Sequence, residues 1–327
     1  MTQILDRIDV HSHGFPEAYL RSLCKRYPEK ASLQEPCDGK PLIAYWSRAP
    51  LPAWDSATRL REMERDQVQT EVLSAPTIYT HLDDDSSLFC RMLNDFQAEL
   101  ARIAPGRFRS FVHLPVNSIP ESLKELARWK DRSEAAGVVF GSNMGGVYPG
   151  DPSLLPIWEA IDKLMMPVLI HPVTPPARYG PVVPTILQFP LDSVTAATSI
   201  LYSGLFERFP GLKIIIPHLG GFLPFVRERL DMAADIAGFP PGQGQDLPKN
   251  PSAYVDRFYY DMAQGFNRPA FDCCRAVAGI DHILYGTDHF FLEDPWRPRL
   301  NAFIDDLPLS LRDRVAILRG NAERILR

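Results

Sequence analysis

The sequence predicts a single α/β domain, a (β/α)8 TIM barrel with an insertion after the first strand. Two observations support this fold: eight short apolar or β-branched runs recur along the chain, and most are followed by a helical pattern. The 327 residues, 45% of them hydrophobic, are enough for one barrel of this kind. A doubly wound open sheet is the alternative fold, but no GxGxxG motif follows any of the runs.

The strand candidates are the eight runs themselves, which span 5–10, 70–74, 108–114, 137–140, 168–171, 213–217, 258–261 and 283–286. Uninterrupted apolar runs such as Ile214-Ile215-Ile216 are typical of strands that are buried on both faces. Helical patterns lie between and after them, at 87–104, 120–129, 151–164, 191–209, 222–236 and 310–326. In the first of these, Leu88, Met92, Phe96 and Leu100 are spaced four apart and form one stripe of a helix.

Two stretches do not fit a plain barrel. Residues 14–56 are long, aromatic and broken by prolines, and we expect them to form an insertion or lid within the single domain 1–327. Residues 238–256 have the glycine and proline content of a loop.

Composition and charge exclude several classes of partner. The formal net charge is −5 and no run of five basic residues occurs, so neither nucleic acid nor an anionic membrane is an expected partner. The N-terminus lacks the apolar core of a signal peptide, and no stretch of about 18 apolar residues is present, so we expect a cytoplasmic protein. The five cysteines do not have the spacing of a disulfide framework or a zinc knuckle, and we expect them to be reduced.

The His11-Ser12-His13 pair is the sharpest local signal for chemistry. Side chains two apart on a strand point to the same face, so both imidazoles would project together. Imidazole is a common ligand of zinc-like ions, although the same pattern also fits two polar residues at the end of a strand.

The other candidate ligands lie at the ends of other strands. His171 ends the fifth candidate within LIHP, His218 follows the sixth, and Asp288 follows the eighth within YGTD. The active site of such a barrel lies at the C-terminal mouth, where the strand ends meet. The sequence therefore predicts a site for one divalent cation there, with room for water or substrate.

At these residues the sequence resembles the amidohydrolase superfamily. It is most similar to the branch of 2-amino-3-carboxymuconate-6-semialdehyde decarboxylase and the salicylate-type decarboxylases. The matching segments follow the family's order along nearly the whole chain: IDVHSH, WDSATRLREME, RMLNDFQAELA, PVLIHP, HLGG, PSAYVDRFYYD and YGTDHFF.

The resemblance implies roles for individual residues. The metal ligands would be His11, His13, His171 and Asp288, and His218 in HLGG would be the catalytic histidine that manages a proton. Either His218 or Asp288 would deliver the proton to the substrate carbon. No lysine ends the fourth strand candidate, where members with two metals often carry one, so a single ion is expected. Zinc is the first expectation for this ion and manganese the alternative.

Three further residues would bind substrate according to the resemblance. Arg229 corresponds to an arginine that crosses a dimer interface to bind the substrate carboxylate, which implies a homodimer. Arg48 corresponds to a second carboxylate-binding arginine, and Phe291 to an aromatic wall of the pocket. His289 and Phe290 depart from the residues usual in the branch, so the pocket would have its own shape.

These observations lead to two enzymatic hypotheses. The first is metal-dependent, non-oxidative decarboxylation of an aromatic or conjugated unsaturated carboxylic acid, a small-molecule substrate. The alternative is metal-dependent hydrolysis of a lactone, an amide or a 1,3-dicarbonyl carbon–carbon bond, because one fold and one site can serve both reactions. A barrel in which the metal only stabilises the fold is the third possibility.

Overall fold

A computed structural model describes residues 6–37, 41–46, 49–77, 85–175, 184–232, 247–291 and 295–326. Its main sheet has eight parallel strands, which adjoin in the order β1-β5-β6-β7-β8-β9-β10-β11. They are β1 (Arg7–His13), β5 (Val68–Ser74), β6 (Phe108–His113), β7 (Ala135–Gly141), β8 (Val168–His171), β9 (Ile214–Ile216), β10 (Tyr259–Asp261) and β11 (Ile283–Leu284). All eight predicted strands are present, and the (β/α)8 barrel is confirmed.

The barrel closes between β1 and the chain that includes and follows β11. The amide of Val10 donates to the carbonyl oxygen of Tyr285 at 3.1 Å, and the amide of Asp288 donates to the carbonyl oxygen of His11 at 2.8 Å. Asp9 adds a side-chain contact, because its carboxylate accepts hydrogen bonds from the amides of His11 and Thr287 and from the Thr287 hydroxyl. This closure brings the first and last strands of the barrel together at its mouth.

The insertion after β1 has its own secondary structure. It contains helix α1 (Glu17–Arg26) and an antiparallel sheet of β2 (Ala31–Gln34), β3 (Ile43–Trp46) and β4 (Ala49–Pro52). Helix α2 (Ser56–Arg65) follows and leads into β5, with the Asp55 side chain capping its N-terminus. A separate apolar cluster joins the insertion to the barrel, through residues such as Phe15, Phe89 and Phe290.

The remaining α-helices surround the barrel. They are α3 (Ser86–Ile103), α4 (Ile119–Trp129), α5 (Leu155–Lys163), α6 (Pro184–Tyr202), α7 (Leu205–Arg208), α8 (Arg268–Ala278), α9 (Trp296–Asp306), α10 (Leu311–Val315) and α11 (Asn321–Ile325). The buried faces of α3 to α9 pack on the strands in one large core that includes Trp129, Trp158 and Phe258. No helix in the described part of the chain is long and apolar enough to cross a membrane.

Two local predictions were wrong. Of the helix predicted at 222–236, residues 222–231 are instead a series of turns with a 3-10 helix at Arg227–Leu230; Met232 is helical, and 233–236 lie outside the described residues. Gly220 and Gly221 have positive φ angles and Pro224 follows them, and these residues disfavour a regular helix start. In the predicted loop 238–256, residues 238–246 lie outside the described residues and 247–250 are irregular, so the prediction is wrong only where the 3-10 helix Pro251–Arg257 begins.

Candidate metal centre

Three histidines and one aspartate meet at the C-terminal mouth of the barrel. His11 and His13 lie within β1, His171 ends β8, and Asp288 follows β11. Each side chain offers one ligand atom, and the four atoms all lie within 4.8 Å of one another. All four residues are buried, with exposures of 0 to 4%. The convergence predicted from the sequence is therefore present, and it forms a metal site.

The Nδ1 side of each imidazole is held by a neighbour. His11 Nδ1 lies 2.9 Å from Asp261 Oδ2, His13 Nδ1 lies 3.2 Å from Ser74 Oγ, and His171 Nδ1 lies 2.9 Å from the carbonyl oxygen of Pro172. A ring that donates from Nδ1 keeps an unprotonated lone pair on Nε2.

The Nε2 atoms face a common point together with the Asp288 carboxylate. His13 Nε2 lies 3.0 Å from Asp288 Oδ1 and 3.2 Å from His171 Nε2, and His11 Nε2 lies 3.5 Å from the same Oδ1. His11 Nε2 is buried and has no hydrogen-bond partner among the described residues. A buried nitrogen without a partner costs free energy, and a cation bound between these four atoms would satisfy it.

The donor set also fits a divalent first-row ion. Three imidazole nitrogens and one carboxylate oxygen suit Zn²⁺ and related ions, which leave further coordination positions for water or substrate. Gly286 permits the close packing behind the site, because a Cβ there would lie 3.0 Å from the Cβ of His11 and 3.2 Å from that of Asp261.

Burial and the neighbouring charges set the protonation of the ligands. Burial lowers the pKa of His13 and holds the pKa of His171 well below its usual value. Burial also acts to lower the pKa of His11, but the carboxylates of Asp261 and Asp288 outweigh it and raise that pKa to about 9. The two carboxylates therefore stabilise a positive charge at His11, whether a proton or a divalent cation carries it, and the two compete for the ring.

His218 lies beside the four ligand residues. Its Nε2 is 3.6 Å from Asp288 Oδ2, and its ring centroid is 5.4 Å from that of His11. Neither ring nitrogen has a hydrogen-bond partner among the described residues. The backbone of His218 has a φ of 58°, a conformation that is costly for a residue with a side chain and is often found at functional sites.

The predicted substrate-binding residues have different positions. Phe291 lies at the metal site, with its ring centroid 5.6 Å from that of His13 and 39% of its surface exposed. Arg229 lies in the 3-10 helix that follows the HLGG segment, and its side chain is exposed. Among the described residues, no hydrogen-bond or ion-pair partner contacts this side chain. Arg48 lies outside the described residues.

Two contacts at the site involve residues that the sequence analysis did not select. Asp261 ends β10 and contacts His11, and the carboxamide of Gln264 donates to Asp288 Oδ2 at 2.5 Å. Asp261 carried a usable signal, since it is a carboxylate at the end of a predicted strand. Gln264 carried none, because it lies in a turn three residues further on.

Comparison with known proteins gives the family. The model of the amidohydrolase family Amidohydro_2 matches residues 8–327. The chain therefore belongs to this amidohydrolase family, as the sequence motifs implied.

Curated relatives agree with this assignment, and solved structures share the fold. The chain is 28% identical to 2-amino-3-carboxymuconate-6-semialdehyde decarboxylase of Dictyostelium discoideum, over 87% of this chain and 82% of that protein. It is 26% identical to gamma-resorcylate decarboxylase of Rhizobium radiobacter, over 83% and 86%. The fold is similar to 5-carboxyvanillate decarboxylase of Novosphingobium aromaticivorans, solved with manganese and a nitrobenzoic acid (TM-score 0.83, 19% identity, 99% of both chains covered).

Proposed function

We propose that this chain is a metal-dependent, non-oxidative decarboxylase of an aromatic or conjugated unsaturated carboxylic acid. One observation carries the proposal: three imidazole nitrogens and a carboxylate oxygen lie within 4.8 Å of one another at the barrel mouth, with His218 beside them. Relatives that cover most of the chain are named as decarboxylases of such acids, which supports this reaction over hydrolysis.

The reaction requires a C–C bond to break and a C–H bond to form at the same carbon. A divalent ion held by His11, His13, His171 and Asp288 would supply a Lewis acid for a substrate oxygen. We propose that His218 or Asp288 delivers the proton, and the 3.6 Å between His218 Nε2 and Asp288 Oδ2, at the mouth of the barrel, supports this role. The bond to the carboxylate then breaks, CO₂ leaves, and the electron pair of that bond returns to the substrate.

The walls of the pocket are suited to a flat substrate. Phe291 presents its half-exposed ring beside His13, and aromatic rings prefer to stack or to meet edge to face. We propose that residues 14–56 act as a lid over this mouth, since Phe290 of the mouth belongs to the apolar cluster of the insertion. A lid that excludes water strengthens the electrostatic interactions beneath it.

We propose that Arg229 and Arg48 bind the substrate carboxylate, because an anionic group is bound most favourably by a cationic side chain. Guanidinium groups bind carboxylates through two parallel hydrogen bonds. Arg229 is exposed, and Phe225, four residues earlier, has 82% of its surface exposed. We propose that this surface meets a second copy in a cytoplasmic homodimer, in which Arg229 reaches the other copy's pocket. Arg229→Ala should then raise KM more than it lowers kcat.

We propose zinc as the native ion, with manganese as the alternative. The His₃Asp donor set suits both, and a manganese complex is recorded for a protein of the same fold. His11→Ala should lose both the ion and the activity. His282→Ala is the matched control, because His282 lies away from the metal site. Its ring contacts the carbonyl oxygen of Phe258 and stacks on the ring of Tyr259.

The reaction is tested by supplying a panel of hydroxybenzoates and unsaturated dicarboxylic acids to enzyme loaded with Zn²⁺ or Mn²⁺. We expect release of CO₂ from at least one acid, and none from the His11→Ala variant. Lactones and amides are tested in parallel, because the alternative is hydrolysis by the same site. Turnover of these compounds, with no CO₂ from any acid, would reverse the assignment.

A further inference from the structure

Gln264 lies at the metal site but belongs to none of the segments that match the family motifs. It follows β10 by three residues, and its Nε2 donates to Asp288 Oδ2 at 2.5 Å. The other oxygen, Asp288 Oδ1, faces His13 Nε2 at 3.0 Å and His11 Nε2 at 3.5 Å. The two oxygens of this carboxylate therefore have different surroundings.

The backbone at Gln264 has an unusual conformation. Its φ is 54°, in the left-handed region that favours glycine. His218, Leu219 and Asp288 share this conformation, with φ angles of 58°, 54° and 58°. Asp288 and the two residues whose side chains lie beside its Oδ2, His218 and Gln264, therefore all have positive φ angles, and strain of this kind clusters at functional sites.

The turn that carries Gln264 is fixed by its neighbours. The amide of Ala263 donates to Asp261 Oδ1 at 3.0 Å, and the amide of Gly265 donates to the carbonyl oxygen of Met262 at 2.8 Å. Leu219 packs closely on Gly265, since a Cβ there would lie 2.9 Å from its Cδ1. Asp261 also contacts the ligand His11, so the first residue of the turn is tied to the metal site.

We propose that Gln264 is a positioning residue of the metal centre. Its carboxamide holds Asp288 Oδ2, which prevents rotation of the carboxylate and leaves Oδ1 as the single oxygen directed at the ion. Hydrogen bonds of this kind to a ligand commonly change metal affinity 10- to 100-fold. This inference rests on the metal site of the proposed function but not on the identity of the substrate.

Two substitutions separate this role from a structural one. Gln264→Met keeps the length of the side chain and removes the donor. Gln264→Gly removes the donor and also relieves the strain of the left-handed backbone conformation. The melting temperature of this variant should therefore equal or exceed that of the wild type. The matched control is Gln67→Met, because Gln67 is also an exposed glutamine with a φ of 57°, and it lies at the opposite end of the barrel before β5.

The test is titration of the metal-free full chain with Mn²⁺, followed by isothermal calorimetry and by the electron paramagnetic resonance spectrum of the bound ion. Both Gln264 variants should raise the Mn²⁺ dissociation constant by about tenfold and alter the spectrum. Gln67→Met should match the wild type in both. Wild-type affinity and spectrum in Gln264→Gly and Gln264→Met would overturn the assignment.

A separate result would show that the metal site itself is wrong. If the wild type bound Mn²⁺ no better than His11→Ala, the metal site would be refuted, and the positioning role of Gln264 with it. If Mn²⁺ binding followed the expected pattern but no acid were decarboxylated, Gln264 would keep its role and only the proposed reaction would fail.

Discussion

Replacement of Asp261 by asparagine should weaken metal binding although Asp261 is not placed to touch the ion. Asp261 Oδ2 accepts from His11 Nδ1 at 2.9 Å, and Oδ1 accepts from the amides of His218 and Ala263, each at 3.0 Å. Asn has only one oxygen. If that oxygen accepts from His11, the amide NH₂ group faces two other donors. If the NH₂ group faces His11 instead, the ring must carry its proton on Nε2, where the ion would bind.

The size of the effect follows from these contacts. Loss of a carboxylate behind a metal-bound histidine commonly costs 10- to 100-fold in affinity, or about 1.4 to 2.8 kcal/mol. Both His11 and Asp261 have 0% exposed surface, so water cannot replace the lost acceptor, and the upper half of the range is expected.

The assay is competition for Zn²⁺ between the protein and a chromophoric chelator at fixed pH. Asp281→Asn is the control, because Asp281 is exposed in the turn before β11 and lies away from the mouth. Asp261→Asn should lose at least tenfold in affinity while the control keeps the wild-type value. If folded Asp261→Asn bound Zn²⁺ within twofold of the wild type, His11 would not need this carboxylate.

Two further predictions concern the stability of the fold. Burial lowers the pKa of His113 from 6.5 to about 3, so the stability that the neutral ring contributes is present above pH 6.5 and is lost as the pH falls below it. Between pH 8 and pH 5, the free energy of unfolding of His113→Gln should therefore fall by about 2 kcal/mol less than that of the wild type, as measured by chemical denaturation. Equal losses in the two proteins would contradict this. Gly137→Ala should lower the free energy of unfolding by about 2 kcal/mol, because its Cβ would lie 2.4 Å from the carbonyl oxygen of Pro167 and 2.8 Å from the Phe111 ring. Gly211→Ala, whose Cβ would lie 3.5 Å from its nearest atom, should change stability little, and a loss equal to that of Gly137→Ala would refute the steric argument.

The sequence was sufficient to predict the barrel and the metal site because both depend on simple periodicities. Buried parallel strands appear as apolar runs such as Ile214-Ile215-Ile216, and strand ends meet at one mouth whatever their separation along the chain. His11 and His13 were predicted on one face of a strand, and both lie within β1 with their Nε2 atoms directed at Asp288.

Other features depend on tertiary contacts that local patterns do not contain. The antiparallel sheet of the insertion was not predicted, because Pro50 and Pro52 argue against a strand; they are accommodated in β4, which lies at the edge of that sheet. Gln264 reaches Asp288 only because the turn after β10 adopts a left-handed conformation at that position. A backbone angle of this kind leaves no periodic pattern in the sequence from which it could be predicted.

The most direct test of the metal site is anomalous X-ray diffraction from crystals of the full chain loaded with Mn²⁺. We expect one strong peak, bonded to Nε2 of His11, His13 and His171 and to one carboxylate oxygen of Asp288. A peak elsewhere, or none among these four side chains after loading, would contradict the assignment of this cluster as the metal centre.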